Sequence, residues 1–67
     1  MKLEIYQTWQ GYEIAKPYPK NKDLHMFLTG VYAGRAKWED DYIRARHYKT
    51  RKAAEAVAKK IESGEIK

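Results

Sequence analysis

Apolar and polar residues alternate along the first part of the chain. Leu3, Ile5 and Trp9 fall on one side of a period-two pattern, and Tyr12 and Ile14 resume it after Gln10–Gly11. The pattern predicts a hairpin with Gln10 and Gly11 as its two turn residues, Gly11 supplying a positive φ. In that register Trp9 faces Tyr12, Gln7 faces Ile14, and the apolar side chains of both strands share one surface. Residues 16–23, KPYPKNKD, then break the alternation: two prolines remove ladder donors, and the lysines and Asn21 favour solvent, which predicts a loop. The run LHMFLTGVYAG, residues 24–34, is rich in strand formers. Gly30 within it marks either a bulge or a tight turn at Thr29–Gly30, and one bulged strand pairing back on the hairpin is the favoured reading.

KWEDDYIRARHY, residues 37–48, fits two patterns. As a helix it places Trp38, Tyr42 and Ala45 at i, i+4, i+7, with Glu39, Asp40 and Asp41 at the positive end of the macrodipole and Arg44, Arg46 and His47 at the negative end. Asp40 and Arg44 then form an i,i+4 pair. As a strand it turns Ile43 and Ala45 to one face and Tyr42, Arg44 and Arg46 to the other. The charge order favours a short helical segment around residues 38–46, running into an extended piece near His47–Lys49.

The closing segment is an amphipathic helix. Ala54, Val57, Ala58 and Ile61 fall at i, i+3, i+4, i+7, and Lys52, Glu55, Lys59 and Glu62 make the opposite stripe. Thr50 is a suitable N-cap, Glu55 and Lys59 a favourably oriented pair, and Gly64 stands where a left-handed residue ends a helix. Glu65–Lys67 is a tail or a short edge strand. The expectation is one α+β domain over residues 1–67: a small three-stranded antiparallel sheet, a short helical segment, and a C-terminal helix packed across one face. The expected core is Leu3, Ile5, Trp9, Ile14, Phe27, Val31, Trp38, Ala54, Val57 and Ile61.

Composition sharpens this picture. A domain of 67 residues buries only about 60% of the surface its unfolded chain exposes. Cysteine is absent, so neither disulfides nor thiolate metal sites supplement the core. Six Tyr, two Trp and one Phe point to an aromatic core. The opening segment has no apolar leader and no run is long enough to span a bilayer, so the chain reads as cytoplasmic and not membrane-bound.

Charge is uneven. Residues 1–34 carry four Lys/Arg against three acids, and residues 35–67 carry ten against six, within a formal net charge of +5. Such a balance attracts anionic partners at long range. Arg44, Arg46, Lys49, Arg51 and Lys52 crowd into nine residues with His47, and Arg51 and Lys52 sit in a first helical turn that disfavours cations by about 0.3–1 kcal/mol. Either a bound phosphate offsets that penalty, or the charges are solvated and the penalty is tolerated. Tyr42 and Tyr48 interleave with the cations, as stacking on bases requires, or else Tyr48 is a core residue holding the helix entry angle.

YKTRKAAEA, residues 48–56, resembles the junction of strand and helix in arm-type, AP2-like DNA-binding domains of phage and transposon integrases, where a three-stranded sheet lies in the major groove and one helix backs it. With GVY at 30–32 and WED at 38–40, the same segment resembles the hybrid-binding module at the N-terminus of some ribonucleases H, although the gap from Trp38 to Tyr48 is much shorter here. Small phage open reading frames share the spacing of these residues as well. The resemblance covers residues 30–58 at most, and it implies a nucleic-acid partner and a phage or mobile-element source.

Other chemistry is thin. Glu39, Asp40 and Asp41 are contiguous, point in different directions on a helix, and suit a helix N-terminus better than a metal ion. Asp23, His25 and His47 lack the further ligands of a zinc or catalytic set, and Ser63 has no base nearby in sequence. The expectation is a non-enzymatic nucleic-acid-binding accessory protein, with no cofactor or metal, gripping DNA or RNA phosphates through Arg44, Arg46, Lys49, Arg51 and Lys52. A competing expectation is a protein-interaction module, such as a phage-encoded inhibitor of a host enzyme or defence complex, built on surplus aromatics. Homodimerisation through a sheet edge or aromatic face is a third.

Overall fold

The computed structural model describes the backbone of residues 3–18 and 21–67, and the side chains of these except 18 and 21–24. The alternating segments form an antiparallel sheet in the order β1 (Glu4–Thr8), β2 (Gly11–Tyr18), β3 (Asn21–Tyr32), β4 (Arg35–Glu39). A 3-10 turn follows at Tyr42–Arg44, then helix α1 (Arg51–Glu62), which packs on β1 and β2. The α+β class and C-terminal helix stand as expected; the sheet has four strands, not three.

The first hairpin turns one residue earlier than the pattern suggested. Thr8 pairs with Gly11, so Trp9 and Gln10 are the turn residues, Gln7 faces Tyr12 and Ile5 faces Ile14. Partners move by two residues, and a two-residue shift leaves every side chain on its expected face. Trp9 alone changes role, from core residue to a turn residue that is 92% exposed. Thr8 ties the turn: its Oγ1 accepts from Gln10 N–H and donates to the Gly11 carbonyl.

Most of the expected loop at 16–23 is strand, with Pro19 and Lys20 outside the described residues. Pro17 is tolerated because it lies beyond Glu4–Ala15, the last pair β1 makes, and the register shifts just after it. The bulge expected near Gly30 is present, between Leu28 and Gly30. Ala33 and Gly34, with φ of 52° and 75°, then make a two-residue turn into β4. Trp38 and Glu39 therefore end a strand, and the expected helix over 38–46 shrinks to the 3-10 turn, capped by Asp41 Oδ1 accepting from Ile43 N–H. The acidic triplet and following arginines mimic a helix by charge order, but the turn at 33–34 commits the chain to strand before that order can act.

The core is aliphatic at its centre, contrary to the aromatic expectation. Leu3, Ile14, Leu28, Ala54, Ala58 and Ile61 are buried together, with Ile5, Tyr12, Ala36, Trp38, Tyr48, Val57 and Ile66 around them. The small side chains of Ala54 and Ala58 meet Ile14 and Leu28 in the buried cluster, and the rings lie at its perimeter. Phe27 pairs with Ala15 and Glu39 and alternates with Leu28, so it lies on the face away from α1. Val31 is 37% exposed at the edge of the core.

Beyond the Ala15–Phe27 pair, β2 and β3 separate and residues 46–48 enter the gap. Arg46 N–H donates to the Leu28 carbonyl at 2.8 Å, and Tyr48 exchanges two 2.9 Å backbone bonds with Tyr12. Gly11 permits this approach, since a Cβ there would lie 2.5 Å from the Tyr48 carbonyl oxygen, and its φ is +135°. Gly11→Ala is expected to cost about 2–3 kcal/mol, whereas Ala33→Asn, which relieves a positive φ in a two-residue turn, is expected to add about 0.5–1 kcal/mol. Urea midpoints at constant m check both.

Candidate nucleic-acid interface

The inserted segment decides where the basic residues go. Ala45 is buried and His47 Nε2 lies 2.7 Å from the Oε2 of Glu13, a carboxylate only 5% exposed. Glu13 alternates with Ile14, so this pair lies on the face away from α1. Arg46 and Tyr48 alternate to the α1 side, where Tyr48 joins the core perimeter and the Arg46 guanidinium lies 5.2 Å from its ring centroid. Tyr48 is thus a packed residue at the helix entry and also a platform for a cation.

The five expected phosphate contacts do not gather on one surface. Arg44 ends the 3-10 turn, whose Tyr42 and Ile43 share a concavity with Glu13 on the far face. Arg46 lines a groove between α1 and the end of β3. Arg51 is on the opposite flank of α1, beside Leu3, Ile5 and Glu62, and pairs with Glu55 at 3.8 Å; Glu55 turns back to Arg51, not forward to Lys59. Lys52 lies on the outer face with Glu55 and Lys59, and Lys49 is exposed ahead of the helix. Of the two cations in the first helical turn, Arg51 is offset by Glu55, and the turn is capped by Thr50, whose Oγ1 accepts from Ala53 N–H at 3.1 Å.

The groove that holds Arg46 has a volume of about 370 Å³ and is lined by Gly30, Val31, Tyr32, Arg46, Tyr48, Val57, Lys60 and Ile66. Its lining carries two cations and no carboxylate, whereas three other concavities of the described surface each include Glu13, Glu55 or Glu62. Tyr32 is 63% exposed; it pairs with Arg35 and alternates with Val31, so its ring lies over Gly30 on the face away from α1, where an added Cβ would sit 2.8 Å from it. Residues 66 and 67 close one side: Ile66 N–H donates to the Lys60 carbonyl and Lys67 N–H to the Gly34 carbonyl. Lys60 and Tyr32 went unnoticed in the sequence because Lys60 reads as an ordinary solvent-facing helix position and Tyr32 as a strand residue.

Two other clusters stand out. Trp9, Tyr42 and Ile43, exposed by 92%, 65% and 75%, surround the far-face concavity with Thr8, Gln10 and Glu13. On the same face Tyr6 donates to Glu4, and His25 Nε2 is 3.2 Å from both Tyr6 Oη and Glu4 Oε2. Among the described residues no group of three His, Asp or Glu could hold a metal ion, and no helix is long and apolar enough to cross a membrane. No protein-family model, curated protein or solved structure matches the chain.

The hydrogen bond to Glu4, then burial and the carboxylate's charge, hold the Tyr6 hydroxyl above its ordinary value of 10.0. A raised folded-state value favours the protonated phenol, so this contribution to stability is complete below pH 10.0 and is lost as pH rises through the folded value. Glu4→Gln should lower the Tyr6 midpoint in a near-ultraviolet absorbance titration. Loss of one late-titrating tyrosine in Tyr6→Phe assigns it.

Proposed function

We propose that this protein is a small non-enzymatic nucleic-acid-binding accessory protein whose contact surface is the groove between α1 and the β3–β4 hairpin. The observation that carries this reading is the pairing of Arg46 and Lys60 with the Tyr48 ring in a lining free of carboxylates. Phosphates need the cations, bases need the rings, and an adjoining carboxylate would repel the backbone of either nucleic acid. Arg44, Lys49, Arg51 and Lys52 lie on other surfaces and contribute through the net positive charge, which attracts an anionic strand at long range.

The test is fluorescence polarisation with labelled oligonucleotides over a range of salt. Arg46→Glu with Lys60→Glu should weaken binding at least tenfold and flatten the log–log salt slope by about 1.4–1.8, as expected for two lost phosphate contacts. Arg51→Glu with Lys52→Glu, on the other flank and outer face, should weaken binding less. An unmutated chain that neither binds oligonucleotides nor is retained on a polyanion column at low salt removes the proposal.

The exposed Trp9, Tyr42 and Ile43 favour a second reading, a protein-docking module. Partner capture that survives nuclease treatment and disappears in Trp9→Ser with Ile43→Ser supports that reading. Capture abolished by nuclease counts against it.

A further inference from the structure

We propose that the concavity on the face away from α1 binds a methylated ammonium group, held against the rings of Trp9 and Tyr42 and over the charge of Glu13. This does not rest on the nucleic-acid reading, whose groove lies on the opposite face of the sheet.

Charge sets the class of ligand. The lining contains the Glu13 carboxylate and no lysine or arginine, the reverse of the groove beside α1. Glu13 Oε2 lies 2.7 Å from His47 Nε2, and a neutral imidazole donating there leaves the carboxylate its charge and a second oxygen. An apolar occupant would cover that charge without compensating it, an anion would be repelled, and a cation compensates it.

The rim chooses among cations. Aromatic rings attract a cation through the negative potential of their faces, and quaternary ammonium ligands are recognised in this way. Trp9 and Tyr42 come from separate elements, the β1–β2 turn and the 3-10 turn, and meet at one concavity with Ile43. Thr8 fastens the first turn and Asp41 caps the second. None of Trp9, Tyr42 and Ile43 belongs to the core cluster or its perimeter, so packing does not account for where they stand. A primary ammonium brings three N–H donors, but acceptors are few here. Thr8 Oγ1 is engaged with the Gly11 carbonyl and the Gln10 amide, and one Glu13 oxygen with His47. A trimethylammonium group has no donor to satisfy and presents methyl groups to the rings and Ile43. The volume, about 390 Å³, falls within the range of about 300–1,000 Å³ typical of small-ligand pockets.

This headgroup occurs both in free choline-type molecules and on trimethylated lysine, and the experiment separates the two sources. NMR follows the Trp9 indole N–H, one of two in the chain and assigned by its absence in Trp9→Phe. The titrants are choline, its neutral tert-butyl isostere, and a short peptide carrying either trimethyl-lysine or unmodified lysine. The expected result is saturable binding of choline, of the trimethylated peptide or of both, at least tenfold tighter than the isostere, the arm that binds identifying the source. Where the peptide binds, trimethyl-lysine should be preferred to unmodified lysine at least fivefold. Trp9→Ala should weaken the cationic probes about fivefold, and Glu13→Gln should remove most of the preference over the isostere. The isostere comparison uses the unmutated protein, so the test holds even if Glu13→Gln unfolds. An isostere bound as tightly as the cations, an unmodified peptide bound as tightly as the trimethylated one, or no shift with either cation overturns the proposal. The nucleic-acid reading stands or falls separately from all of these outcomes.

Discussion

The structure depends on one exchange of backbone hydrogen bonds, that between Tyr12 and Tyr48. It joins the start of β2 to the segment before α1 and so fixes where the helix begins. Without it, β2 and β3 would diverge past Ala15–Phe27 with unpaired donors and acceptors in the middle of a small sheet, which costs more than a surface edge does. Gly11 is the local condition for the exchange, since the close approach of the Tyr48 carbonyl leaves no space for a side chain. The Arg46 to Leu28 bond closes the other side of the gap.

The same insertion distributes chemistry between the two faces of the sheet. A strand sends alternate side chains to opposite sides, so His47 goes to Glu13 while Arg46 and Tyr48 go to α1. The segment thus gives Arg46 and Tyr48 to the cationic groove, while its His47 meets Glu13, a lining residue of the concavity around Trp9. Glu13, a nearly buried carboxylate, is acceptable because His47 lies within hydrogen-bonding distance. The far face acquires in this way a polar anchor beneath an exposed apolar rim.

Much of the fold was legible from spacing. The capped helix at Thr50–Gly64, the bulge near Gly30 and the facing of β1 and β2 all follow from short-range patterns, and Leu3, Ile14, Ala54 and Ile61 are buried as the pattern implies. What spacing missed has a physical cause in each case. Trp9 looked like a core residue because a turn displaced by one residue leaves the same alternation. Residues 38–46 looked helical because acids precede bases there, although Ala33–Gly34 had already turned the chain into β4. The groove was half legible: Arg46 stood out in a basic run, but Tyr32, Lys60 and Ile66 meet it only through tertiary packing. A linear run of charge does not say which side of a helix each cation will occupy, and here Arg46 and Arg51 take opposite flanks.

The gap between β2 and β3 has a further consequence for how the chain reaches its native state. The meander of four strands closes through neighbours in sequence, but its notch is filled only by residues more than thirty positions downstream of Tyr12. Closing a loop over that separation costs more entropy than pairing neighbouring strands does. A sheet whose strands had paired before the notch was filled would leave the Tyr12 amide and the Leu28 carbonyl open, and these are the groups to which a foreign strand would bond.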